Sequence, residues 1–148
     1  MYVKADIVGA KELEAALKAL PKTVANKVVR KALRSGGKVI LGAMKAKCPV
    51  ETGALLKALK VRAGRRRRNS YTIVVGASSK DFTGKQFYAS FVEMGHLQGS
   101  RKLGSNRKMI PAKPFMRPAY EQSKDTATTQ TLDELKSGIE QAAANGGK

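Results

Sequence analysis

Two long helical segments and a few short strands predict a fold of the α+β class. Apolar residues recur at helical spacing through residues 22–47 and again from Ala119 to Ala142. The strongest strand signature, Tyr-Thr-Ile-Val-Val-Gly at residues 71–76, is only six residues long. With 148 residues, 42% of them hydrophobic, there is room for one ordinary domain, expected to run over residues 1–148. Its core should be mainly aliphatic, since the chain has four Phe, four Tyr and no Trp.

Residues 2–8 alternate loosely (Val3, Ala5, Ile7) and predict a short strand. Gly9 releases the chain into a helix over residues 10–20, where Leu13, Ala16, Leu17 and Leu20 share a face and Glu12 and Glu14 stand near its start. Pro21 stops that helix and can open the next. In Lys22–Lys47 the stripe is Ala25, Val28, Val29, Ala32, Leu33, Gly36, Ile40, Ala43 and Met44. Gly36, Gly37 and Gly42 weaken this helix by roughly 1 kcal/mol each relative to Ala, and can allow a kink or a close helix contact.

Thr52 can cap a short helix over residues 53–59. A basic stretch follows at 60–68, then the strand at 71–76 and a polar loop at 77–85. Residues 87–94 fit either a second strand or a short helix. Residues 98–108 have no apolar period and predict a mobile loop. Pro111, Pro114 and Pro118 hold the chain extended until Pro118 can start the last helix. A break is expected in that helix at 126–131, a poor helix-forming section, and residues 145–148 should fray.

Charge is the outlying property. There are 29 Lys and Arg against 11 Asp and Glu, a net charge of +18. It is unevenly placed: residues 22–68 hold fifteen basic residues and one acid, Glu51, whereas residues 119–148 hold three basic residues and five acids. Such a chain attracts polyanions (nucleic acid, an acidic membrane surface, an acidic protein), and its basic middle could dock on the acidic tail of another copy. No apolar run approaches the roughly 18 residues that cross a bilayer. The N-terminus lacks a secretion-signal pattern. The expectation is a soluble protein of a reducing compartment.

The residues argue against an enzyme. One cysteine, Cys48, excludes a disulfide framework and a multi-cysteine metal site, and one histidine, His96, excludes paired-histidine zinc chemistry. No flanking pattern supports Cys48 or a serine as a nucleophile with His96. Cys48 reads as a small buried residue before Pro49, and His96 as a solvated turn residue. No paired acids with metal-ligand spacing and no phosphate loop occur. The run Arg65, Arg66, Arg67 and Arg68 reads as a tip between strands that contacts phosphate, protein or only solvent. No aromatic is interleaved with it to stack on bases. The eight basic residues of Lys22–Lys47 carry the same ambiguity, the plainest reading being a wet helix face.

Three clusters remain. They are Cys-Pro-Val-Glu-Thr-Gly-Ala-Leu at 48–55, Phe-Tyr-Ala-Ser-Phe-Val-Glu-Met-Gly at 87–95, and Pro-Ala-Lys-Pro-Phe-Met-Arg-Pro-Ala-Tyr at 111–120. In this order they resemble the small neck proteins of long-tailed bacteriophages, labelled head–tail joining, tail-completion or tail-component proteins. The pattern falls on Pro49, Thr52, Gly53 and Leu55; on Tyr88, Glu93 and Gly95; and on Pro114, Phe115, Arg117, Pro118 and Ala119. The resemblance covers roughly residues 9–145. It departs from the family in Glu51, where Asp commonly precedes the Thr, and in the Arg65–Arg68 run, which is not a family feature.

The resemblance implies a small, mostly antiparallel sheet packed by the long helix and the C-terminal helix. It implies a non-enzymatic virion component without a cofactor, at the neck or upper tail and assembled in the bacterial cytoplasm. Copies would form a ring, commonly a hexamer, around the DNA channel, touching connector and tail proteins but no membrane, with non-specific proximity to genomic DNA. Glu93 would hold a strand end or pair with a basic group such as Arg117; otherwise it is an exposed glutamate. The rival reading is a basic nucleic-acid-binding accessory protein, resting on the charge. A third is a small phage-encoded regulator that binds a host protein.

Overall fold

The structure, a computed structural model, describes residues 10–49, 53–64, 70–77, 89–98 and 108–145. Several expectations lie outside those residues: the strand at 2–8, the Thr52 cap, the arginine run, Tyr88, the interior of the 98–108 loop and the last three residues. The described elements are α1 (Ala10–Ala19), α2 (Lys22–Lys47), α3 (Ala54–Ala58), β1 (Lys60–Ala63), β2 (Ile73–Gly76), α4 (Ala89–Met94), β3 (His96–Gln98), β4 (Lys108–Ile110) and α5 (Met116–Ala144). The class is α+β: α2 packs along α5, beside two small antiparallel ribbons.

Pro21 separates α1 from α2, and its carbonyl accepts from the N–H groups of Val24 and Ala25 at 2.9 and 3.0 Å. The next 26 residues continue without a break, about 39 Å of helix. Its apolar stripe meets α5 in antiparallel sense. Lys31 pairs with Glu134 at 2.6 Å, and the Gln130 amide donates to the Ser35 hydroxyl at 3.3 Å. The seam is made of small residues, with Ala32, Gly36, Ser123 and Ala127 all buried. A Cβ on Gly36 would stand 2.7 Å from the Ala127 carbonyl oxygen, so the close contact needs glycine there.

The expected break in the last helix does not occur. Residues 126–131 are helical within a 29-residue α5. Their hydroxyls turn back on the helix: Thr128 donates to the Lys124 carbonyl at 2.8 Å, Thr129 to Asp125 at 3.1 Å and Thr131 to Ala127 at 2.7 Å. Packing against α2 outweighs the weak propensity of this section. The helix also begins earlier than Pro118, which sits inside its first turn.

The two ribbons form separate sheets. In the first, Val61 faces Val75 and Ala63 faces Ile73 across β1–β2, placing four apolar residues on the side toward α2. In the second, His96 faces Ile110, Leu97 faces Met109 and Gln98 faces Lys108 across β3–β4. Residues 89–94 take the helical alternative. The main core sits where the C-terminal end of α2 meets α3, α4 and the start of α5: Met44, Cys48, Leu55, Ala58, Leu59, Ala89, Phe115 and Ala119.

Candidate functional site

The start of α5 shows why the second and third clusters belong together. A helix leaves its first four backbone N–H groups without intrahelical partners. In α5 these positions are Phe115, Met116, Arg117 and Pro118. Glu93, reaching across from α4, accepts the first three. Its Oε2 takes the N–H groups of Phe115 at 2.8 Å and Met116 at 3.0 Å, and its Oε1 takes that of Arg117 at 3.1 Å. Pro118 has no N–H to satisfy. The end is fully accounted for.

Burial works against the Glu93 charge, but the three backbone donors of Met116, Phe115 and Arg117, with the Arg117 charge, outweigh it and hold its pKa below the ordinary carboxylate value. A carboxylate at this end also complements the positive end of the helix dipole. Glu93 and Arg117 are therefore partnered chiefly through the Arg117 backbone. The Arg117 charge adds to that backbone bond and does not replace it.

Gly95 makes the reach possible. Its φ of 74° is left-handed and ends α4, and a Cβ there would lie 2.8 Å from the Ile110 carbonyl oxygen and 2.9 Å from the Ala112 nitrogen. The chain folds back so closely that Lys113 N–H donates to the Val92 carbonyl at 2.8 Å. The β3–β4 pairing extends the same clamp. Beneath it Phe115 is 1% exposed and Ala119 is 0%, with Ala89 against them.

The first cluster closes the other side. Gly53, φ 71°, precedes α3, and Leu55 is buried in the same core. Pro49 and Leu55, with Phe91, Val92, His96 and Ile110, line a cavity of about 430 Å³. Pro114, Arg117 and Pro118 are exposed at the surface of this unit. Thr52 and Tyr88, like Arg65–Arg68, fall outside the described residues.

Cys48 stands where the sequence placed it, in the interior, whereas His96 does not take the place expected of it. Cys48 is buried, and desolvation pushes its thiol pKa up. His96 is not a solvated turn residue. It opens β3, half-buried, with its ring 5.2 Å from that of Phe91, and its Nδ1 has no hydrogen-bond partner among the described residues. Among those residues no His, Cys, Asp and Glu group could hold a metal ion, and no helix is long and apolar enough to cross a membrane.

Sequence reading missed a surface. Phe91 (50% exposed) and Met94 (71%) on α4 and the facing pair Leu97 (56%) and Met109 (61%) stand on the clamp uncovered. Isolated large apolar residues beside a polar loop were the available signal.

The fold and this site define a small α+β module in which residues of all three clusters meet in one core. Residues 11–95 match the family model described as "Bacteriophage HK97-gp10, putative tail-component". That is more than half of the chain and includes the first two clusters. The chain belongs to this family of phage tail components. No curated protein and no solved structure matches it.

Proposed function

We propose that this chain is a non-enzymatic virion protein of the head–tail junction, whose copies form a ring, commonly six-fold, around the DNA path so that head and tail can join. Family membership supports a structural tail component. The observation that carries the finer reading is the uncovered set Phe91, Met94, Leu97 and Met109. Large apolar side chains left in water on neighbouring elements favour protein contact, and in a ring they would meet the neighbouring copy. The whole chain acts as one domain in this reading. The protein resides at the neck or upper tail after assembly in the host cytoplasm, against connector and tail proteins.

The family-motif residues, from Pro49 to Ala119, shape the subunit and position that surface. Arg65–Arg68 contacts protein: channel-facing arginines would grip phosphate and slow DNA exit. Replacing all four by Ser should weaken assembly at low salt and leave subunit melting nearly unchanged. Altered DNA retention with intact assembly would instead place the run in the channel, and no change in either would leave it solvated.

Deletion of the gene tests the function. Micrographs should show filled heads and formed tails that fail to join, or tails with a faulty upper end; normal infectious particles overturn the assignment. Leu97→Ser with Met109→Ser should abolish self-association in sedimentation without lowering the subunit's melting temperature.

A further inference from the structure

The exposed side of α2 carries a second surface that tail assembly does not explain. Lys27, Arg30, Lys31, Arg34, Lys38 and Lys45 are all exposed. At 3.6 residues per turn they fall within about 100° of arc on the helix, a stripe about 27 Å long. The first five, with Ser35 and Glu134, line an open groove of about 430 Å³ beside α5. Glu134 is the one acid among these lining residues, and it pairs with Lys31. Lys27, Arg34, Lys38 and Lys45 have no ion pair among the described residues. Arg30 lies 5.3 Å from the centre of the Tyr71 ring, which steadies its guanidinium at the groove wall.

We infer that this groove binds the phosphate backbone of duplex DNA. Charge decides between the possible polyanions. A second copy brings another +18. Of its eight described acids, Glu14, Glu121 and Glu134 are paired within the chain and Glu93 is committed to the start of α5, which leaves Glu12 on α1 and Asp125, Asp133 and Glu140 on α5, four scattered carboxylates against six cations. It cannot neutralise the stripe. Duplex DNA can: about 27 Å of its axis carries about 16 negative charges. The stripe itself carries no aromatic residue to stack on bases, so the contact is to phosphate and independent of sequence. Four of its six cations are lysines, point charges on flexible stems rather than rigid forks. Such contacts hold DNA without fixing its register, as suits a surface along which DNA must move. The inference does not depend on ring formation.

Fluorescence anisotropy of the full chain with two unrelated 30-base-pair duplexes, between about 50 and 200 mM salt, tests it. Both duplexes should bind equally and lose affinity steeply with salt. The triple variant Lys27→Gln, Arg34→Gln, Lys38→Gln should lower the log–log salt slope by about 2.7 and weaken binding at least tenfold at low salt, and Arg34→Gln alone should lower the slope by about 0.9. A control of equal charge, Lys22→Gln, Lys47→Gln, Lys57→Gln, should leave the slope nearly unchanged. Equal losses in the two triples would mean diffuse attraction and overturn the groove. So would absence of wild-type binding, or intact DNA binding with lost self-association, which would assign the stripe to an acidic protein surface. These outcomes are separate from the particle phenotype that tests the junction role.

Discussion

Glu93 holds the start of α5 from outside that helix: its Oε2 accepts the Phe115 N–H at 2.8 Å although 22 residues separate them. The same carboxylate takes the next two N–H groups, so one side chain on a six-residue helix sets where a 29-residue helix begins. This places the Phe115 ring in the core and aligns α5 with α2 from its first turn.

Glu93→Ala should therefore cost about 2 kcal/mol, the upper end for loss of a helix cap, measured by urea denaturation at neutral pH. Because the folded pKa of Glu93 lies below its ordinary value of 4.5, its contribution is whole above that value and declines as pH falls through the folded pKa. The stability gap between wild type and Glu93→Gln should shrink on acidification. A gap constant with pH would show that the charge is not what matters.

Phe115→Ala should destabilise the subunit by about 3–5 kcal/mol, since the ring is 1% exposed and removing it leaves a cavity. A small loss of monomer stability combined with failed assembly would place the ring's role at an interface.

Two glycines of α2 should respond with opposite sign. Gly36→Val should cost about 1–3 kcal/mol, because its side chain would enter the α5 backbone at Ala127. Gly42→Ala should stabilise by about 0.5–1 kcal/mol: Gly42 is exposed in a helix interior and a Cβ there meets nothing within 4 Å. Thermal melts of the two variants check the pair.

Cys48 should resist thiol reagents in the folded protein and react fully in denaturant. It is 6% exposed, and desolvation raises its pKa, so little thiolate is presented at neutral pH. Fast labelling of the native chain would contradict its place in the core.

The long helices were legible because periodicity is a local signal. Lys22–Lys47 and the stop at Pro21 follow from spacing and a missing N–H. The break expected at 126–131 shows the limit of that signal. Thr128, Thr129 and Thr131 are weak helix formers by propensity, but the α2 seam keeps the helix intact while their hydroxyls bond to carbonyls one turn earlier. Motif order drew Glu93, Gly95 and Phe115 together, whereas the bonding between them could not be read, because it joins a side chain to backbone groups that every sequence has. The β3–β4 pair was hidden for a related reason: three-residue strands on either side of a polar loop are too short to show alternation. The cationic stripe on α2 was visible as spacing, but its groove depends on where α5 lies.

The placement of the core at one end of the α2–α5 pair has a consequence for how the subunit opens. Phe115, Leu55, Leu59 and Met44 gather where α2 ends and α5 begins, whereas the opposite end is held by small contacts such as Gly138 against Val28. Local unfolding starts where the least apolar area must be exposed. Backbone amides near Ala142 should thus exchange with solvent deuterium well before those near Ala119, though both lie on one continuous helix. The subunit is graded from a slow-exchanging end to a fast one, and a neighbour that covers the fast end would slow its exchange most.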